Sequence, residues 1–142
     1  MKKQEDEYVI SEEIAIQELQ EFVEKWDDKK KKDWEIQNDY PQVLIAIRKG
    51  LLVIGEDKKP VFTLQNPIKT DEGSIALDVI NFRTRIRPQQ LSDIMKGLDI
   101  SKNQIEYTLR CFAFLTGQSI AMLNKLEKFD YKVIDQISTV FL

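Results

Sequence analysis

Three arginines at alternate positions, Arg83, Arg85 and Arg87 in "NFRTRIR", are the group of side chains in this sequence best suited to recognition chemistry. On an extended strand, residues two apart share a face, so the guanidiniums line one side while Phe82, Thr84 and Ile86 line the other. Guanidinium forks match carboxylate and phosphate geometry, which makes Arg83, Arg85 and Arg87 the candidate partner-binding residues, an anionic docking surface. The plainer reading is a half-exposed or edge strand whose charged outer face discourages edge-to-edge association.

Catalytic equipment is otherwise sparse. The chain has no histidine, so the commonest general base, triad base and transition-metal ligand are missing. Cys111 is alone and forms neither an internal disulfide nor a metal knuckle. It sits among apolar residues with no base beside it, and reads as a small buried hydrophobe rather than a nucleophile. No glycine-rich phosphate loop, dinucleotide fingerprint, zinc-protease helix or EF-hand loop occurs. "DISKNQIE", Asp99 to Glu106, has acids but not the EF-hand spacing, and its Ser and Gln are read as caps. Two carboxylates meeting across a cleft, as in glycoside hydrolysis, stay open as an arrangement that sequence alone does not pair. The sequence thus nominates no catalytic, cofactor-binding or metal-ligating residue and reads as a non-enzyme.

Composition narrows the partners. The 142 residues suit one domain, with 42% hydrophobic and 32% charged residues in globular proportion. A formal charge of −3 gives no global positive field to attract nucleic acid. The longest apolar stretch, Val43 to Ile54, is interrupted by Arg48, Lys49 and Gly50 and is too short to span a bilayer. "MKKQEDEYVI" follows its lysines with acids, unlike a secretory signal, and the expected location is the cytoplasm.

The elements that must position these residues follow from periodicity and punctuation. Ser11 is placed to cap a helix running to Trp26, with Ala15, Ile16, Leu19, Phe22, Val23 and Trp26 on one apolar arc. "DDKKKKD", Asp27 to Asp33, reads as a solvated linker or frayed helix end. "NDYPQVLIAIRKG" reads as a short helix with Pro41 in its first turn and Gly50 past its end. "LLVIGEDKKPVFTL" is a hairpin pattern, and a third strand is expected from Ser74 to Ile86.

Pro88 to Gly97 then forms a helix, and Ser101 with Gln104 suggests a capping box, with Ile100 and Ile105 as its hydrophobic staple. The helix so begun reads as central, contacted on several faces, and stops at Gly117. Ser119 caps the next short helix. Asp130 is expected to cap the last one, with Phe129 and Ile134 stapled around it. Val133, Ile134, Ile137, Val140 and Phe141 give that terminal helix its buried arc.

The expected fold class is therefore α+β: a small antiparallel sheet of three strands packed with an N-terminal helix and a C-terminal group of four helices. One domain spans 1–142, with a helix and charged linker over 1–33, a short helix plus sheet over 34–87, and a helical part over 88–142.

From Thr63 onward the order "TLQNPI", "FRTRIRPQQLSDIMKG", "LTGQS", "LNKLEKFDY" and "STVFL" resembles the tail assembly chaperones of long-tailed bacteriophages, the tail protein E, 41 and 14 group. The "LTG…L…L…DY" pattern matches best. The resemblance implies a phage or prophage assembly factor, acting in the bacterial host cytoplasm, that binds the tape measure protein and shields its hydrophobic helices. It would also help tail tube protein subunits assemble. It transfers no catalytic residue, and the chain before Thr63 exceeds the family pattern. Competing readings are a structural virion or tail component that forms a homo-oligomer through the arginine strand, and a small enzyme built on carboxylates.

Overall fold

The computed structural model describes residues 8–142. The expectation of no secretory signal rests mainly on residues 1–7, which lie outside the described residues. The described elements run α1 (Glu12–Asp27), α2 (Asp33–Asp39), α3 (Pro41–Arg48), β1 (Leu52–Ile54), β2 (Pro60–Lys69), β3 (Ile75–Asn81), α4 (Pro88–Met95), α5 (Gln104–Thr116), α6 (Ile120–Leu123) and α7 (Lys128–Phe141). The strands form one antiparallel sheet in the order β1-β2-β3, so the fold is α+β as the sequence indicates.

Alternation along the strands decides which sheet face is covered. Leu52, Phe62, Leu64 and Ile80 point inward and are buried, while Val53, Val61 and Val79 face outward and remain exposed. Helix α3 lies against β1 and α7 against β2, and α1 packs on both helices. Its arc of Ala15, Ile16, Leu19, Phe22 and Val23 closes the core, which joins buried side chains from every element except α4, whose half-buried Ile94 packs against it. Each large side chain fully removed from water there contributes about 1.5–3 kcal/mol.

Helix boundaries follow local chemistry at several ends. Ser11 Oγ accepts the Ile14 N–H at 3.3 Å, the expected N-cap. At the end of α3, Gly50 takes φ +76°, and the bonds Gly50 N to Ile47 O (3.0 Å) and Leu51 N to Ala46 O (2.9 Å) close a Schellman motif. The start of α3 has no side-chain cap from its own segment. Instead, Gln136 of α7 accepts the Gln42 and Val43 N–H groups, each at 3.1 Å, and donates back to Gln42 Oε1.

Five expectations are corrected. First, a separate helix, α2, fills Asp33–Asp39, and the charged run before it is tied back to α1 and α2 rather than left as a free linker. Gln20 donates to Lys31 O at 3.0 Å and Asp33 Oδ1 at 2.7 Å, and Lys31 pairs with Asp39 at 3.0 Å. Second, β3 ends at Asn81. The alternation of exposure continues to Arg87, but the Arg83 N–H bonds Leu115 O of α5 at 2.7 Å instead of β2.

Third, Ser101 is no N-cap. Its hydroxyl turns to Asp99 Oδ1 at 2.6 Å, Asn103 occupies the cap of α5, and Ile105 is 79% exposed, so no staple forms. Fourth, the first turn of α5 is consequently a solvent-facing end, and burial begins at Cys111 and Phe112. Fifth, Glu127 occupies the N-cap position of α7 without a side-chain cap bond, and Asp130 lies buried within the first turn.

The new role of Asp130 follows from a strand defect. The β2–β3 register shifts between Thr63 and Ile68, leaving the intervening β2 residues outside the regular ladder. Asp130 Oδ1 accepts the Gln65 N–H at 2.8 Å and Oδ2 accepts the Asn66 N–H at 3.0 Å. One carboxylate thus clamps the irregular segment to the first turn of α7.

Candidate protein-binding surface

The three arginines do not act as one row. Arg83 lies with its guanidinium carbon 4.6 Å from the centroid of the Phe114 ring, a cation–π contact beside α5. Arg85 and Arg87 instead border a cleft of about 490 Å³ together with Lys25, Trp26, Pro88 and Phe141. Among the described residues, no carboxylate forms an ion pair with any of the three. The alternation of side chains was legible in sequence; the division between two sites was not, because it depends on where α5 and the end of α1 lie.

A second surface is apolar. Helix α4 buries none of its residues, although Leu91 and Ile94 are half-covered and Met95 is exposed. Its main neighbour is α5. Arg110 of α5 holds the α4 end by donating to Ile94 O at 3.0 Å and Lys96 O at 2.8 Å. Between the helices lies a cleft of about 350 Å³ with Ile94, Ala113 and Phe114 in its wall and Gln90, Asp93 and Arg110 at its rim. Another, of about 580 Å³, runs beside the exposed Ile105 with Leu109 and Ile120. An amphipathic helix with no buried residue marks apolar surface left for something else to cover.

The remaining reactive side chains are occupied structurally. Cys111 is fully buried, and burial raises its thiol pKa, with a lesser opposing effect from Tyr107, so the thiolate is disfavoured. Burial also raises the Asp130 carboxyl, outweighing the two N–H bonds that favour its charged form. Asp39 is lowered by its hydrogen bond to Lys31, an exposed pair on α2 and its preceding loop.

Among the described residues, no group of three or more His, Cys, Asp or Glu side chains is placed to hold a metal ion. In the same residues no helix is long and apolar enough to cross a membrane. The residues of "LTG…L…L…DY" have packing roles. Leu115 and Leu123 are buried, the Thr116 hydroxyl donates to Phe112 O at 2.7 Å, and Gly117 takes φ +69°. Asp130 clamps β2, and Tyr131 packs its ring 5.8 Å from that of Phe112.

Comparison with protein-family models, with curated proteins and with solved structures returns no match to this chain.

Proposed function

We propose that this protein is a non-catalytic assembly factor that binds a helical protein client, acting as a phage or prophage tail assembly chaperone with the tape measure protein as that client. The observation that carries the reading is α4, whose apolar side stays only half-covered beside the α5 clefts. A client helix laid along Ile94, Phe114, Leu109 and Ile105 would bury apolar area on both partners, with Arg110 and Gln90 at the rim to fix its orientation. Such capture prevents the client's own apolar stripes from meeting one another. Holding tail tube subunits near that client is the second task in this proposal.

The test is co-expression with the tape measure protein encoded in the same genome. The client's soluble yield should rise severalfold with this chain present, and an Ile105→Asp, Phe114→Asp double variant should remove most of the gain. Equal yield with and without the chain would overturn the reading.

A second reading, a structural component that self-associates, is favoured by Val53, Val61 and Val79 on the uncovered sheet face. Sedimentation of the isolated chain as a stable ring at micromolar concentration, abolished by Val61→Lys, would support it over the first.

A further inference from the structure

The cationic cleft has chemistry distinct from the α4–α5 surface. Lys25 stands on the last turn of α1, while Arg85 and Arg87 come from the extended segment leading into α4. All three reach one cleft whose lining includes no carboxylate. Its apolar floor is made by Trp26 and Phe141, whose ring centroids are 5.9 Å apart with planes inclined at 65°. The Trp26 indole is fixed by donating its Nε1–H to Lys58 O at 2.7 Å, and the Lys25 ammonium lies 5.2 Å from its ring centroid. Clustered like charges without counter-ions raise the local positive potential and favour an anionic occupant.

We propose that this cleft docks an acidic segment of a protein partner, with an aliphatic or aromatic side chain entering toward Trp26 and Phe141 and flanking carboxylates meeting Lys25, Arg85 and Arg87. The proposal rests on the protein-binding reading above. Two features favour a peptide over nucleic acid. The cleft itself is lined by only three cations, and a chain of net charge −3 supplies no long-range attraction for a polyanion. The Trp26 ring also has Lys25 above it and Phe141 edge-on to it, which leaves little flat aromatic surface on which bases could stack. Arg guanidiniums, by contrast, take carboxylates in a two-point fork.

The experiment uses the purified full chain and a fluorescein-labelled peptide in which tryptophan is flanked on each side by two glutamates, followed by anisotropy at low salt. The glutamine version of the peptide, inorganic phosphate and a 12-nucleotide single-stranded DNA serve as competitors. Saturable binding is expected, with affinity falling as ionic strength rises. An Arg85→Glu, Arg87→Glu double variant should weaken it about tenfold, as should Lys25→Glu on a different element. Lys69→Glu, at the far end of β2, should leave binding unchanged. Matching melting curves for these surface variants separate lost binding from lost folding.

The proposal is overturned if the glutamate peptide does not bind, if the glutamine peptide binds equally well, or if the charge reversals have no effect. It is equally overturned if phosphate or the oligonucleotide competes more strongly than unlabelled glutamate peptide. Peptide binding by a chain that fails to raise client solubility would sink the chaperone reading alone. Raised solubility without peptide binding would sink this one alone.

Discussion

Replacing Asp130 tests how a single buried carboxylate holds two layers of the fold together. Its side chain is fully buried, and its two oxygens meet the Gln65 and Asn66 N–H groups at 2.8 and 3.0 Å. Hydrogen bonds to a charged group are worth about 1.5–3 kcal/mol each. Against this stand the cost of keeping the carboxylate out of water, visible in its raised pKa, and the partial rehydration open to two exposed strand residues. The net expectation for Asp130→Ala is about 3 kcal/mol lost, equivalent to about 10 °C in Tm for a chain of this size.

Asp130→Asn keeps the shape but offers one acceptor, and its amide donors face an N–H, so it should recover less than half of the loss. The pH dependence carries the opposite sign to an ordinary ion-paired aspartate. Because the folded pKa is raised, the unfolded chain releases this proton first. The Asp130 contribution to stability should therefore fall as pH rises from about 4 through the folded pKa. Thermal and guanidinium melts of wild type and both variants between pH 3.5 and 7 measure each quantity. A Tm for Asp130→Ala within about 2 °C of wild type would refute the clamp. A wild-type pH slope unchanged in Asp130→Asn would refute the assigned ionisation.

Four further outcomes are expected. Gln136→Ala removes the acceptor for the first N–H groups of α3 and should cost about 1–2 kcal/mol in chemical denaturation, with the change in hydrogen exchange concentrated at Gln42 and Val43. Cys111 should react with an aromatic disulfide reagent at neutral pH only as fast as the protein opens, so its labelling rate should climb with denaturant and not with reagent concentration. Gly117→Ala meets no atom within 4 Å but must hold φ +69°, so a loss of about 1 kcal/mol is expected. Gly50→Ala should cost more, since its φ is +76° and its new methyl would sit 3.2 Å from Val9 Cγ2.

What the sequence revealed depended on the range of the interaction involved. The arc of α1, Pro41 and Gly50 around α3, the β1–β2 hairpin, Pro88 and Gly97 around α4, Gly117 and Ser119 were all legible, because each is decided by residues within one turn. Ser101 and Asp130 were misread for one shared reason. Both have the right type and spacing for a cap, but a nearer or stronger partner takes the side chain. Asp99 captures Ser101 within its own turn, while the orphan N–H groups of a strand defect more than sixty positions away capture Asp130.

The arginine strand shows the same limit at the candidate site. Alternation correctly put Arg83, Arg85 and Arg87 on the exposed side. Pairing Arg83 with Phe114, and Arg85 and Arg87 with Lys25, required the helices to be in place. The α4–α5 clefts were hidden for a related reason. The apolar pattern of "PQQLSDIM" announces an amphipathic helix, but only tertiary packing reveals that it stays no more than half-covered.

Hydrogen–deuterium exchange of this chain, alone and with the co-expressed tape measure protein, tests most directly whether α4 and α5 receive a client. Protection should appear across α4 and most of α5, Pro88 to Phe114, and little elsewhere apart from the arginine cleft. Unchanged exchange in that segment in the client's presence, or protection confined to the outer face of the sheet, would contradict it.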